Sequence, residues 1–124
     1  MQNGAIGVLN GLTILIVEDE YLIALEAQRI AEEAGAAQVI LANAVEEVRK
    51  LLTSGVSIDV AVLDLRLGSE DASPLIHEFT TRNTPLIIAT GLEADIPIGA
   101  ILLAKPYRDA DFVAVILSAL KRPV

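Results

Sequence analysis

The sequence predicts a doubly wound α/β fold in which helices cover both faces of a five-stranded parallel β-sheet. Five short apolar runs predict strands, and four of them lack polar alternation, as is typical of strands buried on both faces. Helical patterns lie between these runs, and strands that alternate with helices form parallel sheets with right-handed crossovers. In chain order, the predicted strands are residues 12–17, 38–41, 60–63, 86–89 and 101–104.

Apolar stripes and end residues predict the helices. Gly35 is a residue type favoured just past a helix C-terminus, so it closes the first helix. Asn43 is a candidate N-cap for the second helix. Ser73 followed by Pro74 predicts an N-cap and a proline at the first position of the third helix. The predicted helices cover residues 20–34, residues 44–53, a segment that begins at Pro74, and residues 109–120.

Length and composition predict one domain over residues 1–124, with residues 1–11 as a loose N-terminal lead-in. The absence of cysteine excludes disulfides, thiolate metal sites and thiol catalysis, and a single histidine excludes an ordinary zinc site. The net charge of -8 argues against nucleic-acid binding, which requires a basic surface. The first residues lack the basic region of a signal peptide, and the apolar runs are too short for a membrane helix. We therefore expect a soluble, cytoplasmic protein that binds neither nucleic acids nor membranes.

Polar side chains follow four of the predicted strands, at the points where the strands end. Glu18 and Asp19 follow the first strand, and Asp64 follows the third. Thr90 follows the fourth strand, and Lys105 follows the fifth. Because ligands of open parallel sheets bind beyond the carboxyl ends of the strands, we expect these five side chains to meet at one edge.

The chemistry of this set predicts a Mg²⁺-dependent phosphoryl site. Three neighbouring carboxylates repel one another, and a hard divalent cation with oxygen ligands relieves that repulsion. A lone lysine among acids suits a phosphoryl group, and a threonine hydroxyl can donate to a phosphoryl oxygen. Other acids, namely Asp59, Glu70 and Asp71, are interpreted as turn residues. Asp64 is central and can attack phosphorus to form an acyl phosphate, whose charge the metal and Lys105 would neutralise.

The segments around these strand ends resemble the receiver domain of bacterial two-component response regulators. They are ILIVEDE at 14–20, VAVLD at 60–64, IIATG at 87–91 and LAKPY at 103–107. The resemblance implies a flavodoxin-like sheet with the strand order 2-1-3-4-5. It also implies Asp64 as the acceptor of a phosphoryl group from a histidine kinase. The implied cofactor is Mg²⁺, bound by Glu18, Asp19, Asp64 and the backbone carbonyl of Arg66, with Asp19 as a direct ligand.

The resemblance implies further roles and partners. Thr90 and Lys105 would hold the phosphoryl oxygens, and the peptide bond between Lys105 and Pro106 would be cis. The domain would catalyse only its own phosphorylation and dephosphorylation, so we do not expect an enzyme. The implied partners are a histidine kinase or phosphotransfer protein and a downstream protein, with a homodimer as a further candidate.

Two departures from the family pattern concern the surface through which the family commonly signals. Leu102 stands where the family often has an aromatic residue. Residues 91–100 include Pro97 and Gly99, and they are too few for loops plus a helix of average length, about 11–12 residues. The helix between the fourth and fifth strands is therefore predicted to be short or absent, which leaves an apolar association surface. The residues expected there are Ile96, Ile98 and Leu102.

Three functions fit the sequence. The leading one is a phosphorylation-activated signalling module, which either stands alone or is a fragment of a longer regulator. The alternative is a phosphorylation-independent interaction module on the same fold, favoured by the two departures and disfavoured by the complete set of site residues. The third is a small Mg²⁺-dependent hydrolase, disfavoured because Arg66 stands two residues after Asp64, where a second catalytic acid would be needed.

Overall fold

The structure is a computed structural model that describes residues 7–91 and 100–121. Within these ranges the five strands of a parallel sheet alternate with four helices in the predicted order, and two further short strands form a hairpin. None of these described helices has the length and apolar character needed to cross a membrane. The strands are β1 (Thr13–Val17), β2 (Gln38–Ala42), β3 (Val60–Leu63), β4 (Leu86–Thr90) and β5 (Ile101–Ala104). The helices are α1 (Tyr21–Glu33), α2 (Val45–Thr53), α3 (Pro74–Thr81) and α4 (Asp109–Ala119).

All five strands belong to one parallel sheet in the order β2-β1-β3-β4-β5. This order confirms the predicted fold class and the strand order that the family resemblance implied. In the register, Val17 pairs with Leu63, and Thr90 pairs with Ala104. The residues that follow the strands therefore lie along one edge of the sheet, as expected for parallel strands.

Two hydrophobic cores lie on opposite faces of the sheet. Ile14 and Ile16 of β1 belong to the core that includes α1 and α4. Leu15 and Val17 belong to the core that includes α2 and α3. Because alternate residues are buried on opposite faces, the strands are continuous apolar runs in the sequence. The edge strand β2 is the weakest of the five runs, and it begins with the exposed Gln38.

The N-terminal lead-in is packed over its described part, so the prediction of a loose segment is wrong for residues 7–11. Leu9 is fully buried in the core beside α1. The N–H groups of Gly7 and Leu9 both donate to the Ala34 carbonyl, at 3.0 and 2.9 Å. At Gly35 (φ +102°) a Cβ would lie 2.9 Å from Gly7 Cα, so the backbones meet where a side chain does not fit. A single buried leucine is too short a signal to reveal this packing in the sequence.

The helix ends confirm two of the predicted signals and correct a third. Gly35 follows the C-cap of α1, and Ser73 and Pro74 open α3 as N-cap and first helical residue. For α2 the N-cap is Ala44 rather than Asn43, and it makes no side-chain capping bond. The Asn43 N–H instead donates to Glu47 Oε1 at 2.8 Å.

A short antiparallel hairpin between β3 and α3 was not predicted. Its strands, Arg66–Leu67 and Glu70–Asp71, are joined by a turn at Gly68, which has a φ of +64°. Leu67 and Ala72 are buried in the core that includes α2 and α3. Two-residue strands are too short for a periodic pattern, so the sequence predicts only turn residues at Glu70 and Asp71.

The predicted short or absent helix between β4 and β5 falls on residues 91–100. Of these, residues 92–99, which include Ile96 and Ile98, lie outside the described residues. Leu102, the third residue of the predicted association surface, lies on β5 and is 44% exposed. The association surface therefore stays a prediction.

Candidate functional site

Three carboxylates that the sequence places after β1 and β3 meet at the predicted edge of the sheet. Glu18, Asp19 and Asp64 each have a carboxylate oxygen within 4.8 Å of one in each of the others. Glu18 is only 6% exposed, Asp64 is half-buried, and Asp19 is exposed. The register of the central strands causes this meeting, because Val17 and Leu63 are paired and the acids follow them directly.

The Lys105 ammonium lies between two of these carboxylates. Its Nζ is 2.6 Å from Glu18 Oε1 and 2.8 Å from Asp64 Oδ2. The peptide bond between Lys105 and Pro106 is cis, as the resemblance implied. The strand ends thus bring one ammonium and three carboxylates together.

Burial and hydrogen bonding shift the pKa values of Glu18 and Lys105. Burial raises the pKa of Glu18, because desolvation of the carboxylate outweighs the hydrogen bonds from Lys105 and from the Glu20 N–H. For Lys105, burial lowers the pKa, but hydrogen bonds to Asp64 and Glu18 outweigh burial and raise it overall. The lysine therefore stays charged at neutral pH.

Backbone donors orient the two carboxylates that contact Lys105. The Glu20 N–H donates to Glu18 Oε2 at 3.2 Å, and the Arg66 N–H donates to Asp64 Oδ1 at 3.0 Å. Each carboxylate therefore has one oxygen held by the backbone and the other by Lys105. The Arg66 residue itself is exposed, and the metal-ligand role of its carbonyl stays a prediction.

Thr90 ends β4 beside Lys105. The Lys105 N–H donates to the Thr90 carbonyl at 3.0 Å, and a Cβ at Gly91 would lie 4.0 Å from the Lys105 Cβ. Thr90 is half-buried at the same edge of the sheet as the acids. The structure therefore brings all the predicted site residues to one edge, and the contact of the Thr90 hydroxyl with a phosphoryl group stays a prediction.

Sequence comparison found one curated relative of clear similarity, and no model of a known protein family matches. The phyllosphere-induced regulator PhyR of Methylorubrum extorquens is 31% identical over 114 residues. The match covers 86% of this chain but 43% of PhyR, so the chain spans less than half the length of this relative.

Several solved structures are similar to this chain over nearly its whole length. SdrG from Sphingomonas melonis Fr1 is 30% identical with a TM-score of 0.75, and the match covers 96% of this chain and 99% of SdrG. The response regulator PhyR from Brucella abortus is 25% identical with a TM-score of 0.80, over 95% of this chain and 51% of that one. A response regulator receiver protein from Sinorhizobium medicae WSM419, at 24% identity, shares the fold, with a TM-score of 0.78 over 91% of this chain and 97% of that one. The chain belongs to the response regulator receiver domains.

The donor set of this receiver domain fits a magnesium ion. Mg²⁺ prefers oxygen ligands and is commonly bound through one or two carboxylates together with waters. Glu18, Asp19 and Asp64 offer three carboxylates, whereas Lys105 supplies one positive charge, so the ionised group carries a formal charge of about -2. A divalent cation would neutralise that remaining charge.

Two acids of the receiver domain have structural contacts that the sequence interpretation missed. Asp59 Oδ2 accepts a hydrogen bond from the Thr13 N–H at 2.8 Å, at the start of β1. Glu70 Oε1 accepts one from the Val45 N–H at 3.1 Å, at the start of α2. Both contacts join segments more than 20 residues apart, and no local pattern signals such a pairing.

Replacing Lys105 by methionine is expected to lower the free energy of unfolding at neutral pH by about 1–3 kcal/mol. The buried Glu18 carboxylate and Asp64 would lose the ammonium that both contact. Urea unfolding followed by circular dichroism measures the loss. The matched control is Arg49→Met, which removes the exposed ion pair with Glu78 and should change stability by about 0–1 kcal/mol. Equal losses in the two variants would contradict the expectation.

Proposed function

We propose that this receiver domain accepts a phosphoryl group on Asp64 from the phosphohistidine of a histidine kinase or phosphotransfer protein, with Mg²⁺ bound at the three carboxylates. The phosphorylated domain then acts on a downstream protein partner. The observation that supports this most is the 2.8 Å contact between Lys105 Nζ and Asp64 Oδ2 within the carboxylate group. A nucleophilic carboxylate and a cation for the transferred group are thus side by side.

The proposed transfer is a displacement at phosphorus. A carboxylate oxygen of Asp64 forms the new P–O bond, the P–N bond to the donor histidine breaks, and the imidazole nitrogen keeps the bonding electron pair. When bound, Mg²⁺ supplies positive charge against the carboxylates and the phosphoryl oxygens. The Arg66 N–H holds Asp64 Oδ1, and this limits rotation of the carboxylate. Lys105 moves from a carboxylate oxygen to a phosphoryl oxygen, and the Thr90 hydroxyl donates to another.

The chain would act as a signalling module rather than an enzyme, because the phosphoryl group ends on its own side chain and is lost again by hydrolysis. We also propose a cytoplasmic location, with which the absence of cysteine is compatible.

Incubation with acetyl phosphate and Mg²⁺, followed by intact-mass spectrometry, tests whether the chain is phosphorylated. One added phosphoryl group that needs Mg²⁺ is expected. An unmodified chain that still binds its protein partner would instead support the phosphorylation-independent interaction module.

An exposed apolar surface beside the site suits the phosphodonor protein. Tyr21 and Leu22, at the start of α1, are 70% and 79% exposed, which is unusual for large apolar side chains. Leu22 lines a groove of about 380 Å³ that Lys105 also lines. A protein seated there would bring its phosphohistidine close to Asp64. The groove is lined by Leu22, Ile23, Glu26, Lys105, Pro106 and Tyr107.

Replacing Leu22 by glutamate is expected to slow phosphoryl transfer from a kinase by about tenfold or more. The kinase would have to bury the new charge when it docks, so its binding would weaken. Acetyl phosphate is a small phosphodonor that needs no docking surface. The measurement compares transfer from a purified histidine kinase that phosphorylates the wild type with transfer from acetyl phosphate, which should stay unchanged. Ser57→Glu adds the same charge at the opposite edge of the sheet, where Ser57 is exposed, and is the matched control. A parallel loss with both donors would place the defect in the site rather than in docking.

A further inference from the structure

Helix α2 begins without a local cap. Its N-cap residue, Ala44, has extended backbone geometry and no side-chain capping bond. The Val45 N–H, one of the donors that a helix start leaves unpaired, instead donates to Glu70 Oε1 at 3.1 Å. The cap therefore comes from the hairpin, 25 residues further along the chain.

The same hairpin lies beside two of the site carboxylates. Gly68 in its turn lies beside Asp19, since a Cβ there would be 3.8 Å from Asp19 Oδ2. Arg66 in its first strand donates its N–H to Asp64 Oδ1. Glu70 pairs in register with Leu67, and its carboxylate binds the start of α2. Glu70 thus joins α2 to a segment that lies beside Asp19 and donates a hydrogen bond to Asp64.

The two ends of the hairpin are held in different ways. Its base is closed by the Ala72 N–H, which donates to the Leu65 carbonyl at 2.9 Å. Its turn end lies next to the Leu67–Glu70 pair, and there the bond from the Val45 N–H connects it to α2. Loss of the Glu70 carboxylate would leave the base in place and free the end that lies beside Asp19.

We propose that Glu70 is a positioning residue for the site: by binding the start of α2, it holds the hairpin where Asp19 and Asp64 are preorganised for Mg²⁺. The inference rests on the proposed function, because it concerns the same metal site. If the hairpin is already held in place, Mg²⁺ binding does not have to order it. The entropic cost of ordering is then avoided, and Mg²⁺ binds more tightly. Glu70 acts through the hairpin and does not itself touch the metal.

The test is a Mg²⁺ titration by isothermal calorimetry on the whole chain. Glu70→Ala is expected to weaken Mg²⁺ binding about threefold or more. Glu70→Gln keeps an oxygen acceptor for the Val45 N–H without the charge, so its affinity should stay close to that of the wild type. In the double variant Ala44→Ser with Glu70→Ala, a serine N-cap supplies a local cap to α2. That variant should recover the thermal stability lost in Glu70→Ala but not the Mg²⁺ affinity.

Each other result overturns the inference in a recognisable way. If Glu70→Gln and Glu70→Ala lost equal Mg²⁺ affinity, the negative charge of Glu70 would act on the ion directly. Its hydrogen bond to α2 would then have no role in Mg²⁺ binding. Recovery of affinity by Ala44→Ser would mean that Glu70 only stabilises α2. Unchanged affinity in Glu70→Ala, with a wild type that binds Mg²⁺, would overturn this inference alone. A wild type that does not bind Mg²⁺ would overturn the proposed function as well.

Discussion

Replacing Asp64 by asparagine is expected to abolish Mg²⁺-dependent phosphorylation while leaving the fold intact. The asparagine amide is not a useful nucleophile toward phosphorus, so the acyl phosphate cannot form. The fold should persist, because the asparagine oxygen can still accept from the Arg66 N–H and Lys105 keeps its contact with Glu18. Intact-mass spectrometry after incubation with acetyl phosphate and Mg²⁺ measures the phosphorylated fraction, and circular dichroism checks the fold.

Asp59→Asn is the matched control for this experiment. Asp59 precedes β3 at the opposite edge of the sheet, and its Oδ2 accepts from the Thr13 N–H. An asparagine there can keep an acceptor oxygen, so this variant should be phosphorylated like the wild type. If Asp64→Asn still took up phosphoryl groups at the wild-type level, another residue would be the acceptor and the assignment would be wrong.

Replacing Asp19 by asparagine is expected to weaken Mg²⁺ binding by at least about tenfold, whereas Glu20→Gln should have little effect. Asp19 has a carboxylate oxygen within 4.8 Å of those of Glu18 and Asp64. Glu20 does not belong to that group and instead is the N-cap residue of α1. Each variant removes one acidic charge, and the two positions are neighbours. The difference between their Mg²⁺ affinities therefore distinguishes a direct ligand from a nearby charge. Equal Mg²⁺ affinity for the wild type and Asp19→Asn would contradict the ligand role.

Without Mg²⁺, the Asp19→Asn variant is expected to be more stable than the wild type by up to about 1 kcal/mol. The group of three carboxylates and one ammonium holds an excess of negative charge, and the substitution removes one of the repelling carboxylates. Chemical unfolding in the presence of a chelator measures this gain. Saturating Mg²⁺ should reverse the order, because only the wild type then gains the full free energy of binding. If Asp19→Asn were less stable than the wild type in the presence of the chelator, Asp19 would contribute a favourable contact to the fold.

Most of the fold could be predicted from the sequence because its signals are local. Runs such as residues 60–63 are apolar at every position, since helices cover both faces of the sheet, and this holds for each central strand. Gly35 and Pro74 mark helix ends through their own backbone preferences, which need no distant partner. The acids and the lysine of the site were found for a related reason: they follow those strands directly, and parallel strands end at one edge.

Which of these groups are in contact, and what holds them there, could not be predicted from local patterns. Lys105 follows the last strand, yet it contacts Glu18 across 87 residues, and Glu70 caps a helix that begins 25 residues before it. Leu9 is buried against α1, although the residues around it predict a loose lead-in. The strands of the parallel sheet, the helices and the residues at the site edge could be predicted, because backbone preferences and apolar periodicity depend on a few neighbouring residues. Hydrogen bonds, ion pairs and packing between distant segments depend on the register of the sheet and on how its layers pack, so they exist only once the chain has folded.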